Sequence, residues 1–95
     1  MIQTGRVQLA SQMPGWQLNT GSGFRTFIGP DIKFTPSFNT TPQVAVAFSG
    51  IIAQTGILQA AVATSDVEAD EFNILIQVWG DTSLTEVAVT WIAYD

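Results

Sequence analysis

The chain has 95 residues, a length that suits one domain, residues 1–95, and leaves little room for two. It contains no histidine and no cysteine, which removes the commonest general base, the commonest metal ligand, thiolate nucleophiles and disulfides. Eight acidic residues against three basic ones give a net charge of −5. Nucleic acids and anionic membrane surfaces are bound through basic patches, so neither is expected as a partner.

The proportion of charged residues is low for a chain of this size. Hydrophobic residues make up 46% of the chain and charged residues 12%, against about 25% charged residues in a typical domain. We therefore expect other subunits to cover part of the surface. No apolar run approaches the ~20 residues of a membrane-spanning helix, and the first residues lack the pattern of a signal peptide. We expect no membrane insertion, and the cellular compartment stays undetermined.

Alternation of apolar and polar residues predicts strands along most of the chain. The second predicted strand is irregular, because Gly29-Pro30 interrupts it and implies a bulge or bend. The fourth is rich in small residues and would also tolerate a helix. Six strands are predicted, in chain order around Val7 and Leu9 and then over Arg25–Phe34, Gln43–Ser49, Leu58–Thr64, Phe72–Val78 and Val87–Ala93.

Six short strands separated by turn residues indicate an all-β fold of the antiparallel β-sandwich type. Several of the strands carry apolar residues on both faces, notably in segments 73–76 and 90–93. A strand that is apolar on both sides has one face in the core and the other against something else. A partner subunit would provide that second covering.

Carboxylates are the remaining option for catalysis or metal binding. Asp66, Glu68, Asp70 and Glu71 cluster between the fourth and fifth predicted strands. The glycine and bidentate glutamate of an EF-hand loop are absent at the required spacing, so a solvated acidic turn is the favoured interpretation. We predict no metal, no cofactor and no enzymatic activity.

A tryptophan beside a tight turn is the most informative local feature. Trp79 precedes Gly80-Asp81, where the fifth predicted strand turns into the sixth. A flat apolar ring next to a carboxylate suits a sugar, whose C–H face stacks on aromatic rings and whose hydroxyl groups need polar partners. The alternative is a core tryptophan with Asp81 capping the turn, and residue types alone favour that alternative.

An ordered set of short motifs along the whole chain resembles the H-type lectin domain family. No single motif is specific, and the resemblance rests on the set. The motifs are Thr4-Gly5-Arg6-Val7, Gly15-Trp16, Ile32-x-Phe34, Phe38-x3-Pro42-x-Val44, Phe72-x6-Trp79-Gly80-Asp81-Thr82 and Val89-Thr90-Trp91-Ile92-Ala93.

The resemblance implies a six-stranded antiparallel sandwich that assembles into a homotrimer. It also implies a shallow site near each subunit junction for galactose or N-acetylgalactosamine, without a metal. By position, Trp79 is the aromatic residue against the sugar, and Gly80 and Asp81 form the turn that presents polar contacts. Thr85 lies where a neighbouring subunit contributes to the site.

Two further positions of the family pattern differ in this chain. Ser22 and Gly23 lie in a loop that usually offers backbone groups and an acidic side chain, and here the loop is short and has no acid. Gln59 lies where N-acetylgalactosamine binders commonly have an arginine. An amide does not offer the donors of a guanidinium, which affects sugar specificity. Arg25 either compensates for that change or is a solvated residue at a strand edge.

Three classes of function remain. The first is a trimeric lectin that binds neutral glycans through several equivalent weak sites. The second is a structural trimerisation domain, or a tip or receptor-binding domain, of a phage-tail or fibre-like protein without a working sugar site. The third is an enzyme, which the absence of histidine and cysteine disfavours.

Overall fold

Seven strands make up the fold in the computed structural model, which describes residues 1–54 and 56–95. Their alternating burial follows the alternation of apolar and polar residues, because successive side chains of a strand point to opposite faces. The strands are β1 (Ile2–Ala10), β2 (Arg25–Ile28), β3 (Ile32–Lys33), β4 (Gln43–Ala53), β5 (Ala60–Ser65), β6 (Glu71–Val78) and β7 (Leu84–Tyr94).

The strands form two antiparallel sheets of a β-sandwich, as predicted. In the first sheet, β7 lies between β1 and β4. In the second, β6 pairs with β5 on one side and with β2 and β3 on the other. The pairing of β1 with β7 brings the two chain ends together, and the amino group of Met1 lies 2.6 Å from Oδ1 of Asp95.

The predicted count of six strands is wrong, because the second predicted strand divides into β2 and β3. Ile28 pairs with Leu75 and Ile32 with Phe72, so residues 29–31 oppose only residues 73–74 of β6. Pro30 has no N–H group to donate to the ladder. The side-chain amide of Asn73 closes the gap by donating to the Gly29 carbonyl (3.0 Å) and to Oδ1 of Asp31 (2.8 Å). The predicted interruption is therefore a bulge that separates two strands.

Several other predicted elements differ in their bounds, and β7, for example, begins at Leu84, three residues before its predicted start. β4 continues past Ser49 to Ala53, because its pairing with β7 resumes after a bulge between Phe48 and Gly50. The helical alternative for Leu58–Thr64 is wrong, since Ala60–Ser65 pairs with β6 along its whole length. No helix among the described residues is long and apolar enough to cross a membrane.

The core lies between the two sheets and is closed at one end by aromatic rings. The Phe72 ring stacks on Phe34 with centroids 5.3 Å apart and meets the edge of Trp91 at 5.2 Å. The inward side chains of the two central strands are buried in this core: Phe72, Ile74, Ile76 and Val78 of β6, and Leu84, Val87, Val89, Trp91 and Ala93 of β7.

Gly5 leaves the space that the Trp91 ring occupies. The two residues are direct partners in the β1–β7 pairing, and a Cβ atom at position 5 would lie 2.6 Å from the indole ring. Trp91 therefore packs against the backbone of Gly5, in the space that the side chain of any other residue at position 5 would occupy.

We expect Gly5→Ala to lower the free energy of unfolding by about 1–3 kcal/mol, because the added methyl group displaces Trp91 from a packed core. Gly50→Ala is the matched control in the same sheet, since a Cβ atom there would lie 3.4 Å from the Cβ of Ala88. Urea unfolding of both variants measures the difference. Equal stabilities for the two variants would contradict this account of Gly5.

Candidate functional site

The predicted site residues gather where β6 ends and the chain turns towards β7. Val78 is the last residue of β6 and pairs with Arg25 of β2 on one side and with Ala60 of β5 on the other. One residue further out, the Trp79 amide donates to the Gln59 carbonyl (3.0 Å). Extensions of three neighbouring strands therefore meet beside Trp79, which is 38% exposed.

Arg25 lies beneath this end of the sheet and is only 9% exposed. Its guanidinium group donates to five backbone carbonyl groups, which matches the five N–H donors of an arginine. The acceptors are the carbonyl oxygens of Gly23 (3.1 Å), Leu18 (3.5 Å), Thr20 (2.7 Å), Gly80 (2.9 Å) and Thr82 (2.8 Å).

These bonds give Arg25 a positioning role. They tie the loop before β2 to the turn after β6, and the Gly23 amide adds a bond to the Gly80 carbonyl (3.0 Å). Neither sequence-based interpretation of Arg25 describes this arrangement: the side chain is not a solvated edge residue, and its donors are engaged by backbone oxygens. The free-energy cost of burying the Arg25 charge is offset because each of its N–H donors has a backbone oxygen as acceptor.

Thr82 holds the other side of the turn and was not singled out from the sequence. Its side chain is buried, and its hydroxyl oxygen accepts a hydrogen bond from the Gln59 amide (2.8 Å). Its own amide donates to the Trp79 carbonyl (3.3 Å). The backbone of Gln59 is therefore bound at both its N–H and its C=O to the turn that carries Trp79.

The side chain of Gln59 lies directly against the backbone of Gly80. Gly80 has φ +58°, a conformation that favours glycine, and a Cβ atom there would lie 2.5 Å from Oε1 of Gln59. The side-chain amide of Gln59 thus extends across the turn, over the space that a larger residue at position 80 would fill. Asp81, the next residue, is exposed on the same turn.

Ser22 and Thr85 are the remaining predicted site residues, and they lie in different parts of the fold. Ser22 is exposed in the loop, next to Gly23. Thr85 belongs to β7, where its hydroxyl donates to the Ile52 carbonyl (3.1 Å) and its carbonyl accepts from the Ser11 amide (2.9 Å). Within one subunit the described contacts of Thr85 are with the first sheet and not with Trp79.

Phe24 is a second aromatic residue at the site that the sequence did not reveal. Its ring centroid lies 6.0 Å from that of Trp79, with 55° between the ring planes. The sequence carried no signal for this, because the exposure of Phe24 goes with the burial of the neighbouring Arg25, which the sequence did not predict.

The acidic cluster lies at the other end of β6. Carboxylate oxygens of Glu68, Asp70 and Glu71 fall within 4.8 Å of one another. Glu71 also forms an ion pair with Lys33, and this hydrogen bond raises the pKa of Lys33 above its usual value. The cluster belongs to the turn that precedes β6, so it is separate from the Trp79 site, and metal independence stays a prediction.

Comparison with known proteins assigns the chain to a family. Residues 30–94 match the profile of the H-type lectin domain, so the chain belongs to this family, and its class is that of the carbohydrate-binding lectins. The recombinant discoidin II of Dictyostelium discoideum has the same fold, with a TM-score of 0.87 and 22% identity. A second structure, of wild-type discoidin II, gives a TM-score of 0.86 and 22% identity.

The chain is shorter than these structural relatives. All of it aligns with discoidin II, but it spans only 36% of the discoidin II chain. A curated sequence relative, described as "ATP synthase subunits region ORF 7" of Fuscovulum blasticum, is 28% identical over 93 residues, which are 96% of this chain and 79% of that protein.

We expect Arg25→Lys to lower the free energy of unfolding by about 1–3 kcal/mol, because an ammonium group has three donors and leaves buried carbonyl groups unsatisfied. Arg6→Lys is the matched control, since Arg6 is exposed on β1 and a surface exchange changes stability by about 0.5 kcal/mol or less. Urea unfolding measures both variants. An equal effect at the two positions would rule out the positioning role.

Proposed function

We propose that residues 1–95 form one lectin domain that binds a neutral sugar of the galactose or N-acetylgalactosamine type and performs no catalysis. The observation that carries this proposal is the accessible Trp79 ring on a turn whose backbone is hydrogen-bonded to that of Gln59 and lies against the Gln59 side chain at Gly80. The aromatic face accepts the apolar C–H face of a sugar. The side-chain amide of Gln59 offers both donors and acceptors to the hydroxyl groups of a sugar.

The charges around the site favour a neutral ligand. The guanidinium of Arg25 is directed to backbone oxygens, so it is not available as a donor for an acidic sugar. Asp81 and the net charge of −5 repel anionic ligands. Asp81 and Gly80 then supply polar contacts from the turn, and Ser22 and Gly23 supply them from the loop.

Sugar specificity rests on Gln59 in this proposal. Arg25 does not replace the arginine that the family commonly has near this position, because its donors are used beneath the site. An amide at position 59 is a weaker and less directional partner for an N-acetyl group than a guanidinium. Galactose is therefore accepted at least as well as N-acetylgalactosamine.

A homotrimer is the proposed assembly. The outer face of the first sheet exposes large apolar side chains at one end, among them Ile2, Ile92 and Tyr94. A shallow hollow of about 380 Å³ lies on the same face, between Thr4 and Ala47. Packing of further copies against this face removes apolar surface from water, which stabilises a small domain. In the trimer, Thr85 of one subunit contributes to the site of its neighbour.

Light scattering during size exclusion should give about three times the 10.2 kDa chain mass. Ile92→Glu should shift the protein to monomer, because a carboxylate in an apolar interface is costly to bury. Thr41→Glu, in the exposed loop before β4, is the control and should stay trimeric. A monomeric parent protein at micromolar concentration would contradict the proposed assembly.

We expect Trp79→Ala to weaken sugar binding by roughly fivefold or more, since stacking contributes about 1 kcal/mol. Asp81→Ala should lose a charge-assisted hydrogen bond of about 1.5–3 kcal/mol.

Gln59→Arg should shift preference towards N-acetylgalactosamine, because a guanidinium supplies directional donors. Calorimetric titration with methyl glycosides measures each effect, and the parent dissociation constant should be around 10⁻⁴–10⁻³ M.

Trp79→Phe is the control for these variants, because it keeps an aromatic face. Every variant must keep the melting temperature and mass of the parent protein. Unchanged binding by folded Trp79→Ala and Asp81→Ala would move the site elsewhere. If the parent protein binds no glycan, the structural alternative applies, namely a trimerisation, tip or receptor-binding domain of a phage-tail or fibre-like protein. The apolar outer face of the first sheet also favours this alternative.

A further inference from the structure

We infer that the ligand of this site extends over at least two sugar rings, with Phe24 as a second stacking platform beside Trp79. This inference rests on the proposed function and adds the size of the ligand to it. The observation that motivates it is the pair of accessible rings, with centroids 6.0 Å apart, directly beyond the ends of β2 and β6.

Phe24 is more exposed than its position in the fold requires. Its side chain is 57% exposed, although the next residue, Arg25, is buried and Phe27 belongs to the core. A ring this exposed buries little apolar surface within the domain. Its ring approaches Trp79 at a tilt of 55°, so the two rings present two separate faces and not one continuous plane.

The backbone beneath both rings is held by hydrogen bonds. Gly23 and Arg25, on either side of Phe24, bind the Gly80 carbonyl through an amide and a guanidinium group (3.0 and 2.9 Å). Trp79 is bound to Gln59 on its other side. The spacing of the two platforms is therefore set by the turn, and little conformational entropy is lost when a ligand binds across them.

Phe24, Trp79 and Gln59 lie side by side on the extensions of three adjacent strands. Adjacent strands are about 4.8 Å apart, so the line from Phe24 to Gln59 spans roughly 10 Å. A single pyranose ring stacked on Trp79 reaches the amide of Gln59 but leaves the Phe24 face in water. A second ring linked to the first covers Phe24 and removes that apolar surface from solvent.

The composition of the site indicates the chemistry of the second ring. Phe24 makes one end of the site apolar, and Ile28, four residues and about 13 Å further along at the end of β2, is also exposed. A neutral ring with a broad C–H face fits this end, whereas a sialic acid or uronic acid places a carboxylate against it. The polar contacts of the ligand then concentrate at the Gln59 end.

The test compares matched monosaccharides and disaccharides on the parent protein by calorimetric titration. The probes are methyl galactoside, methyl N-acetylgalactosaminide and neutral disaccharides that carry each of these sugars at the non-reducing end. We expect the best disaccharide to bind roughly five- to tenfold more tightly than its monosaccharide, as an additional stacking contact provides.

Phe24→Ala should reduce this ratio to about one, while Phe24→Tyr should keep the ratio. Trp79→Ala should weaken both kinds of probe. Monosaccharide binding without any gain for disaccharides, or a gain that survives Phe24→Ala, would overturn the inference and leave the proposed function in place. Absence of binding by every probe would overturn both.

Discussion

The end of this domain that carries the candidate site depends on one buried cation. Removal of a guanidinium group from water costs several kcal/mol unless every donor finds an acceptor. Arg25 meets that condition with carbonyl oxygens from the loop before β2 and from the turn after β6. Both segments must adopt these positions together, because displacement of either leaves a buried charge with unsatisfied donors. A short loop and a tight turn, which would otherwise be mobile, are thereby joined into one rigid platform.

The alternation that identified β6 and β7 was reliable for a physical reason. Each of these strands has one face fully buried between the sheets, so a shift of one residue would expose the whole apolar set. β5 gave a weaker signal, because its six residues are all half-buried and mostly small. The division of β2 from β3 was visible in Gly29-Pro30, but the side-chain amide of Asn73 that completes the bulge is distant in sequence.

The part of the candidate site that lies within a single segment of the chain was predictable from the sequence. Trp79 and the Gly80 turn are contiguous, and they do lie at the accessible end of β6. Phe24 and Thr82 were missed because their roles depend on which residues face each other across strands, and register is not visible in one segment. The interpretations of Arg25 failed for a related reason: arginine is usually exposed, and the carbonyl groups that make its burial favourable belong to separate parts of the chain.

The approach of the two chain ends has a consequence for orientation. Met1 and Asp95 meet at the end of β7 remote from the turn that carries Trp79, in a molecule with a longest dimension of 43 Å. Any polypeptide joined to either end would emerge at the base of the domain, on the side away from the aromatic platform. A tether, a carrier or a solid support attached there would hold the candidate site outward, and both points of attachment would do so equally.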